Sequence, residues 1–188
     1  FKTSTMQQSA ANGLGWSARK TMSVAQSLYE HGDITYHRTD SLSLVSSVVD
    51  EIRSLVGEKF GKEYVPEKSK GYKSAGKVQA QEAHEAIRPT SVSKLADDFS
   101  GRGKMASDEK KLYKLIWQRT IASQMAEALY DNTKVFVETM AHHGGQAGKY
   151  LLIARGEVEK FDGWKRIFDK GVEDNRLLPE LLEKEELD

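Results

Sequence analysis

The hydrophobic period of this chain changes at Asp131-Asn132, and that change sets what the chain can become. Upstream, apolar residues recur every three or four positions, as on the buried face of a helix. Ser4 or Thr5 suits the cap of a first helix over 4–14, which Gly13 and Gly15 end. Met22, Ala25, Leu28 and Tyr29 mark a second between the cap Ser17 and the stop Gly32. Val45, Val48, Val49, Ile52, Leu55, Val56 and Phe60 form a wide stripe on a third, capped near Ser43. Ser107 opens a fourth, with Asp108 and Glu109 in its first turn and Leu112, Leu115, Ile116, Ile121 and Met125 facing inward. Downstream, residues 133–141 and 150–158 alternate and are rich in β-formers, with 142–149 as the predicted hairpin loop. Two strands cannot close a sheet alone. The chain therefore reads as α+β: a mainly helical body over 1–130, then an antiparallel β piece over 131–188 at the C-terminal end, the whole being part of a larger protein.

The 188 residues suffice for a real hydrophobic core. With no cysteine, disulfides, thiolate nucleophiles and Cys-based zinc sites are excluded. No apolar run reaches the ~20 residues of a membrane helix, and no leader sequence is expected. The 28 basic and 28 acidic residues cancel, but unevenly. Residues 59–104 hold ten Lys/Arg against six Asp/Glu, and 157–188 hold six against eleven. A neutral total can thus carry a basic face that attracts phosphates. Residues 61–80, with Gly61, Pro66, Gly71, Gly76 and five lysines, read as a mobile basic loop. Residues 82–88 read as a helical turn closed by Pro89. Residues 161–164 begin a further short element, and the acidic end, 180–188, is expected to fray.

Three local patterns are weaker than they look. Gly13-Leu14-Gly15-Trp16-Ser17-Ala18 has dinucleotide-fingerprint spacing but no strand before it, so it reads as a helix terminus. Gly71 to Lys77 spells G-x-x-x-x-G-K, but Val78 stands where a hydroxyl should hold magnesium. His142 and His143 lack the further ligands that a metal site needs.

Ile34-Thr35-Tyr36-His37-Arg38-Thr39-Asp40-Ser41 is different in kind. It sets a phenol, a guanidinium and a carboxylate within five residues. Tyr36 and Arg38 are two apart, so an extended backbone points both to one face. A phenol can attack phosphorus, and ionising one at pH 7 costs roughly 4 kcal/mol from its ordinary pKa of about 10. A neighbouring cation lowers that cost and steadies charge on the phosphoryl oxygens. The plain alternative is a packed tyrosine beside an exposed arginine. In Gln81-Glu82-Ala83-His84-Glu85-Ala86-Ile87-Arg88-Pro89-Thr90, His84 and Arg88 would share a helix face and could meet a phosphate. The plain alternative there is a local Glu85–Arg88 pair.

Taken together these stretches resemble the type IA DNA topoisomerases, and among them the bacterial topoisomerase I branch. Phe1-Lys2-Thr3-Ser4-Thr5-Met6-Gln7-Gln8 is similar to the family's F-x-T-S-T-L-Q-Q, residues 34–41 to its I-T-Y-M-R-T-D-S, and residues 82–90 to its E-A-H-E-A-I-R-P-T. Phe161-Asp162-Gly163-Trp164 also resembles a family stretch. The resemblance implies the central tyrosine-bearing domain over 1–130 and part of the β-rich arch domain over 131–188. It implies Tyr36 as a nucleophile that forms a 5′-phosphotyrosine link with single-stranded DNA, leaving a 3′-hydroxyl, and Arg38 as the holder of the scissile phosphate. His84, and after it Arg88, would contact backbone phosphate, while Asp40 organises a turn. The covalent link stores the bond energy, so no nucleotide is needed and this piece carries no cofactor or metal ligand of its own. Mg2+ belongs to the complete enzyme, on an acidic Toprim domain that nothing in 1–35 resembles. Partners would be single-stranded DNA and the remaining domains of the same chain, in the bacterial cytoplasm with the nucleoid, with no membrane. The implied activity of the whole is relaxation of negative supercoils. His37 departs from the methionine usual there; topoisomerase III enzymes typically carry proline and reverse gyrases can carry histidine. The competing readings are the equivalent domain of those two groups, a non-catalytic winged-helix-like module that binds duplex DNA through Lys68 to Lys77 and Arg88, and a purely structural fragment.

Overall fold

The computed structural model describes residues 1–72, 85–143, 146–168 and 178, with the backbone alone described over 139–143 and 146–147. It divides into two compact units, Phe1–Ala126 and the residues from Glu127 onward.

The first unit is built on four α-helices among the described residues: α1 (Thr3–Leu14), α2 (Ala18–Glu30), α3 (Ser46–Lys59) and α4 (Ala106–Ala122). Helix α1 begins one residue before its expected start. Thr5 Oγ1 reaches back to its N-terminus, accepting from the Lys2 N–H at 3.1 Å and donating to the Lys2 carbonyl at 3.0 Å. It ends at Gly15, whose φ of 69° only glycine adopts without cost. The fingerprint-like glycines are therefore a helix terminus. Ser17 caps α2 through Lys20 N–H at 3.2 Å. Met6 and Ala10 of α1, Val24, Ala25 and Leu28 of α2, and Leu112, Ile116 and Ile121 of α4 are buried and make the core. Tyr113 and Trp117 of α4 join them, and the Tyr113 ring stacks on Phe99 at 4.2 Å. Burial of the Tyr113 phenol, reinforced by Asp33, pushes its pKa well up, as suits a structural hydroxyl that donates to the Lys94 carbonyl.

Several local expectations are corrected. Helix α3 starts at Ser46, and its buried stripe is narrower than expected: Val48, Ile52 and Val56 only. The described half of the basic loop is tied down. It carries a 3-10 turn over Lys62–Tyr64, the Tyr64 carbonyl accepts from Ala126 N–H at 2.8 Å, and Lys70 pairs with the Gln124 side chain through both backbone groups. Residues 73–84, which hold the rest of that loop, most of the P-loop-like stretch and His84, lie outside the described residues. Residues 85–88 do not form the described half of a helical turn; they have no regular secondary structure and bend at Ile87.

The second unit is an antiparallel hairpin of β1 (Leu129–His143) and β2 (Gln146–Phe161). The strands are longer than their alternating cores. His143 still pairs with Gln146, so 142, 143 and 146–149 belong to the ladder and not to a loop. The ribbon leaves Phe136, Tyr150, Leu151, Leu152 and Ile153 exposed. A 3-10 turn over Gly163–Phe168 follows, as the sequence suggests. A Cβ at Gly163 would stand 2.5 Å from the Glu127 carbonyl, so glycine is required there. Residues 180–188 lie outside the described residues. Among the described residues no helix is long and apolar enough to cross a membrane.

Candidate active site

Gly32, at φ 73°, turns the chain out of α2 and launches residues 34–41 as an irregular strap that bends at 35, 37 and 38. The strap belongs to no sheet. Its only ladder contact among the described residues is a single bridge, Ile34 to Pro89. Its backbone is satisfied instead by two other stretches of sequence.

On one side lies 86–90. Thr35 N–H donates to the Arg88 carbonyl at 2.9 Å, Thr35 Oγ1 donates to the Ala86 carbonyl at 2.8 Å, and Arg88 N–H donates to Thr35 Oγ1 at 3.0 Å. On the other side lies the start of α1. Thr3 N–H donates to the Thr39 carbonyl at 2.8 Å. Thr3 Oγ1 donates to the His37 carbonyl at 2.9 Å and accepts from Thr39 N–H at 2.9 Å. Ile87 N–H donates to the Phe1 carbonyl at 2.8 Å and closes the ring of three segments. Further along, Thr39 Oγ1 accepts from Ser41 N–H and Ser41 Oγ from Ser43 N–H, a ladder of hydroxyl turns. The hydroxyl residues that crowd these motifs are thus backbone fasteners.

Burial along the strap alternates. His37, Thr39 and Ser41 are buried, while Tyr36, Arg38 and Asp40 are exposed. Tyr36 and Arg38 are therefore both turned to the exposed side of the strap. The Tyr36 ring meets Tyr29, from the end of α2, edge-on at 5.3 Å and meets His37 at 5.5 Å. Beside Arg38 opens a hollow of about 550 Å³ lined by Lys2, Thr3, Ser4, Gln7, Arg38, Thr39 and Asp40. It lies at the N-terminal end of α1, where exposed amides and the helix dipole favour an anion.

Arg88 is placed inside. Its Nε and Nη2 grip Glu85 at 3.2 and 2.7 Å, and its Nη1 donates to the Pro89 carbonyl at 2.9 Å. Glu85 Oε1 in turn accepts from Val45 N–H at 3.0 Å. The local pair thus forms and binds 85–89 to the entry of α3. A phosphate contact by Arg88 would have to displace Glu85. The placement of His84 relative to Arg88 lies outside the described residues.

Sequence reasoning passed over three groups. Tyr29 reads as core but is half-exposed against Tyr36. Thr3 and Thr35 carry no chemistry, yet they fix the strap. His37 is fully buried, and the same alternation that puts Tyr36 and Arg38 outside puts it inside. Burial, with help from Arg38 and against Glu30, holds its pKa below the usual histidine range.

Among the described residues no group of three or more histidine, aspartate or glutamate side chains is arranged for a metal. Asp40 is the one carboxylate lining the hollow. A lone carboxylate next to two cations does not fit Mg2+, which seeks an octahedral oxygen shell.

The family model described as DNA topoisomerase matches residues 1–188. The chain is 44% identical over 180 residues to DNA topoisomerase 1 of Salmonella typhimurium, covering 94% of this chain and 19% of that protein. It is 42% identical over 200 residues to DNA topoisomerase 1 of Rickettsia bellii, covering 100% and 24% respectively. The solved structure of full-length topoisomerase I from Thermotoga maritima, in a monoclinic crystal form, superposes with a TM-score of 0.77 at 36% identity, over 98% of this chain and 29% of that one. The chain spans about a fifth to a quarter of the curated relatives' length.

Proposed function

The chain belongs to the bacterial type IA DNA topoisomerase family, and from that premise we propose that it supplies the nucleophile of the complete enzyme's strand-breaking reaction, Tyr36. The Tyr36 phenol oxygen attacks the phosphorus of one phosphodiester in single-stranded DNA. The bond from phosphorus to O3′ breaks, a 5′-phosphotyrosine bond forms, the phenol proton departs, and the released 3′-oxygen takes one up. Reversal of the same exchange reseals the strand after passage, with no nucleotide consumed. The observation that carries this reading is the strap itself: Tyr36 and Arg38 stand on one exposed side of a backbone fastened from both flanks.

Arg38 holds the scissile phosphate and meets the charge that builds on its oxygens. The hollow beside it, with Lys2, takes the sugar–phosphate backbone next to the break. Thr3 and Thr35 keep the strap from yielding when the strand binds, because proximity helps only if the attacking atom is held. His84 remains a proposed contact to backbone phosphate. Arg88 in its present bonding supports Glu85 and the strap. A duplex-binding module that relied on Arg88 for phosphate is disfavoured by that commitment. Mg2+ does not fit the described residues of this chain, so no step here runs through it. Relaxation of negative supercoils is proposed for the complete enzyme, which works on DNA in the bacterial cytoplasm.

The test uses the full-length enzyme and a 3′-labelled single-stranded oligonucleotide, quenched in denaturant. Tyr36→Phe is expected to abolish the covalent protein–DNA adduct while keeping most of the oligonucleotide affinity. Adduct persisting in that variant would overturn the assignment.

A further inference from the structure

His37 is the buried group that the reaction scheme leaves unused. Its side chain is 0% exposed, and neither Nδ1 nor Nε2 has a hydrogen-bond partner. An imidazole always carries at least one N–H and, when neutral, one acceptor nitrogen. Leaving such groups buried and unpaired is costly, so an orphan of this kind calls for an explanation. The surroundings supply one. The ring lies 5.8 Å from Tyr29 and 5.5 Å from Tyr36, and those two rings lie 5.3 Å from each other. Three rings form a closed cluster in which His37 is the buried member and Tyr29 and the proposed nucleophile are equally exposed. The His37 carbonyl is held by Thr3 Oγ1, so the backbone beneath the ring is pinned to α1. The Tyr36 ring therefore has a fixed floor and a fixed wall.

We propose that His37 is a positioning residue for Tyr36, packing as a neutral ring against both Tyr29 and the nucleophile, and that its protonation withdraws this support and stops strand cleavage on acidification. The inference rests on Tyr36 being the nucleophile. The groups that face the imidazole agree with it. Tyr36 and Tyr29 offer uncharged rings. Arg38, next along the strap, opposes a second positive charge. Glu30, at the end of α2, favours one, and burial and Arg38 together outweigh it. From α1 the contact is the Thr3 hydroxyl, already engaged with the His37 carbonyl. An imidazolium in this position would hold two N–H donors with no protein acceptor, a charged state that burial disfavours. The ring must then leave its pocket, and the residues on either side of it, Tyr36 and Arg38, move with it.

The sign is fixed by the direction of the shift. The neutral ring is favoured when folded, so the support is complete above the ordinary histidine value of about 6.5. It is lost as pH falls below that value toward the lower folded one. Below the folded titration the competent fraction drops toward tenfold per pH unit.

The experiment follows single-turnover adduct formation by the full-length enzyme from about pH 8 to about pH 5, in the natural protein and in His37→Met, a side chain of similar reach that does not titrate. The reading is the ratio of acidic to neutral rate within each protein. The expected result is a fall toward tenfold per unit in the natural protein and a flatter limb in His37→Met. In parallel, the His37 imidazole signal, identified by its absence in His37→Met, is followed by nuclear magnetic resonance of labelled enzyme and is expected to titrate where the rate falls. Coincident limbs in the two proteins, or a His37 ring that stays neutral while the rate collapses, would overturn the proposal. If His37→Met does not fold, the imidazole titration of the natural protein decides alone. Absence of any Tyr36 adduct at neutral pH would instead overturn the nucleophile assignment, so the two failures are distinct.

Discussion

Replacing Thr35 by valine keeps the shape of the side chain and removes one hydroxyl. That hydroxyl donates to the Ala86 carbonyl at 2.8 Å and accepts from Arg88 N–H at 3.0 Å. Ala86 and Arg88 are 3% and 9% exposed, so water does not replace the lost partner freely. Two net hydrogen bonds at about 1 kcal/mol each, plus the cost of backbone groups left unpaired, give a loss of about 2–4 kcal/mol. One backbone bond, Thr35 N–H to the Arg88 carbonyl, survives and places the effect at the lower end. For a urea slope of about 1–3 kcal/mol per molar, the unfolding midpoint then moves down by about 1 M. Trp16 and Trp117 belong to this unit, so its unfolding is readable by fluorescence. Thr35→Ser keeps the hydroxyl and is expected to lie closer to the natural protein than Thr35→Val. The same order is expected in adduct formation by the complete enzyme, because a loosened strap misplaces Tyr36. If Thr35→Val unfolds at the natural midpoint, or Thr35→Ser is the worse of the two, the fastening argument is wrong.

Arg38→Ala in the complete enzyme is expected to slow adduct formation about 10²- to 10³-fold, the usual cost of losing one charge-stabilising donor, while oligonucleotide affinity falls much less; equal losses in both would make Arg38 a binding residue only. The 188-residue chain by itself is expected not to relax negatively supercoiled plasmid in the presence of Mg2+, because its described residues offer no acidic cluster for the ion; relaxation on an agarose gel would refute that.

Where the sequence and the structure agree, the signal was local. Ser17 and Gly32 bound α2 through a hydroxyl cap and a left-handed turn, both short-range devices. The two-residue period over 34–41 matches the exposure of Tyr36 and Arg38 and the burial of His37 between them. Where they part, distant segments decide. Glu85-Ala86-Ile87-Arg88 has good helix formers, yet Ala86 N–H goes to Ser43, Ile87 N–H to Phe1 and Arg88 N–H to Thr35. Three long-range acceptors outweigh a single unsupported turn, which helix nucleation makes costly. The start of α3 shifts for the same reason, because 43–45 is held by 85 and 86. The hairpin outran its β-forming core because ladder bonds use backbone groups, which histidine, glutamine and glycine also possess.

The knot of Thr3, Thr35, Ile87 and Arg88 also has a consequence for synthesis. The Thr3 bonds join positions 34 and 36 residues apart, the Thr35 bonds positions 51 and 53 apart, and Ile87 bonds back to Phe1, and such contacts form only after long loops close. Until residues 86–88 have left the ribosome, the strap can be held only on its Thr3 side, and its Thr35 side waits for partners that are made about fifty residues later.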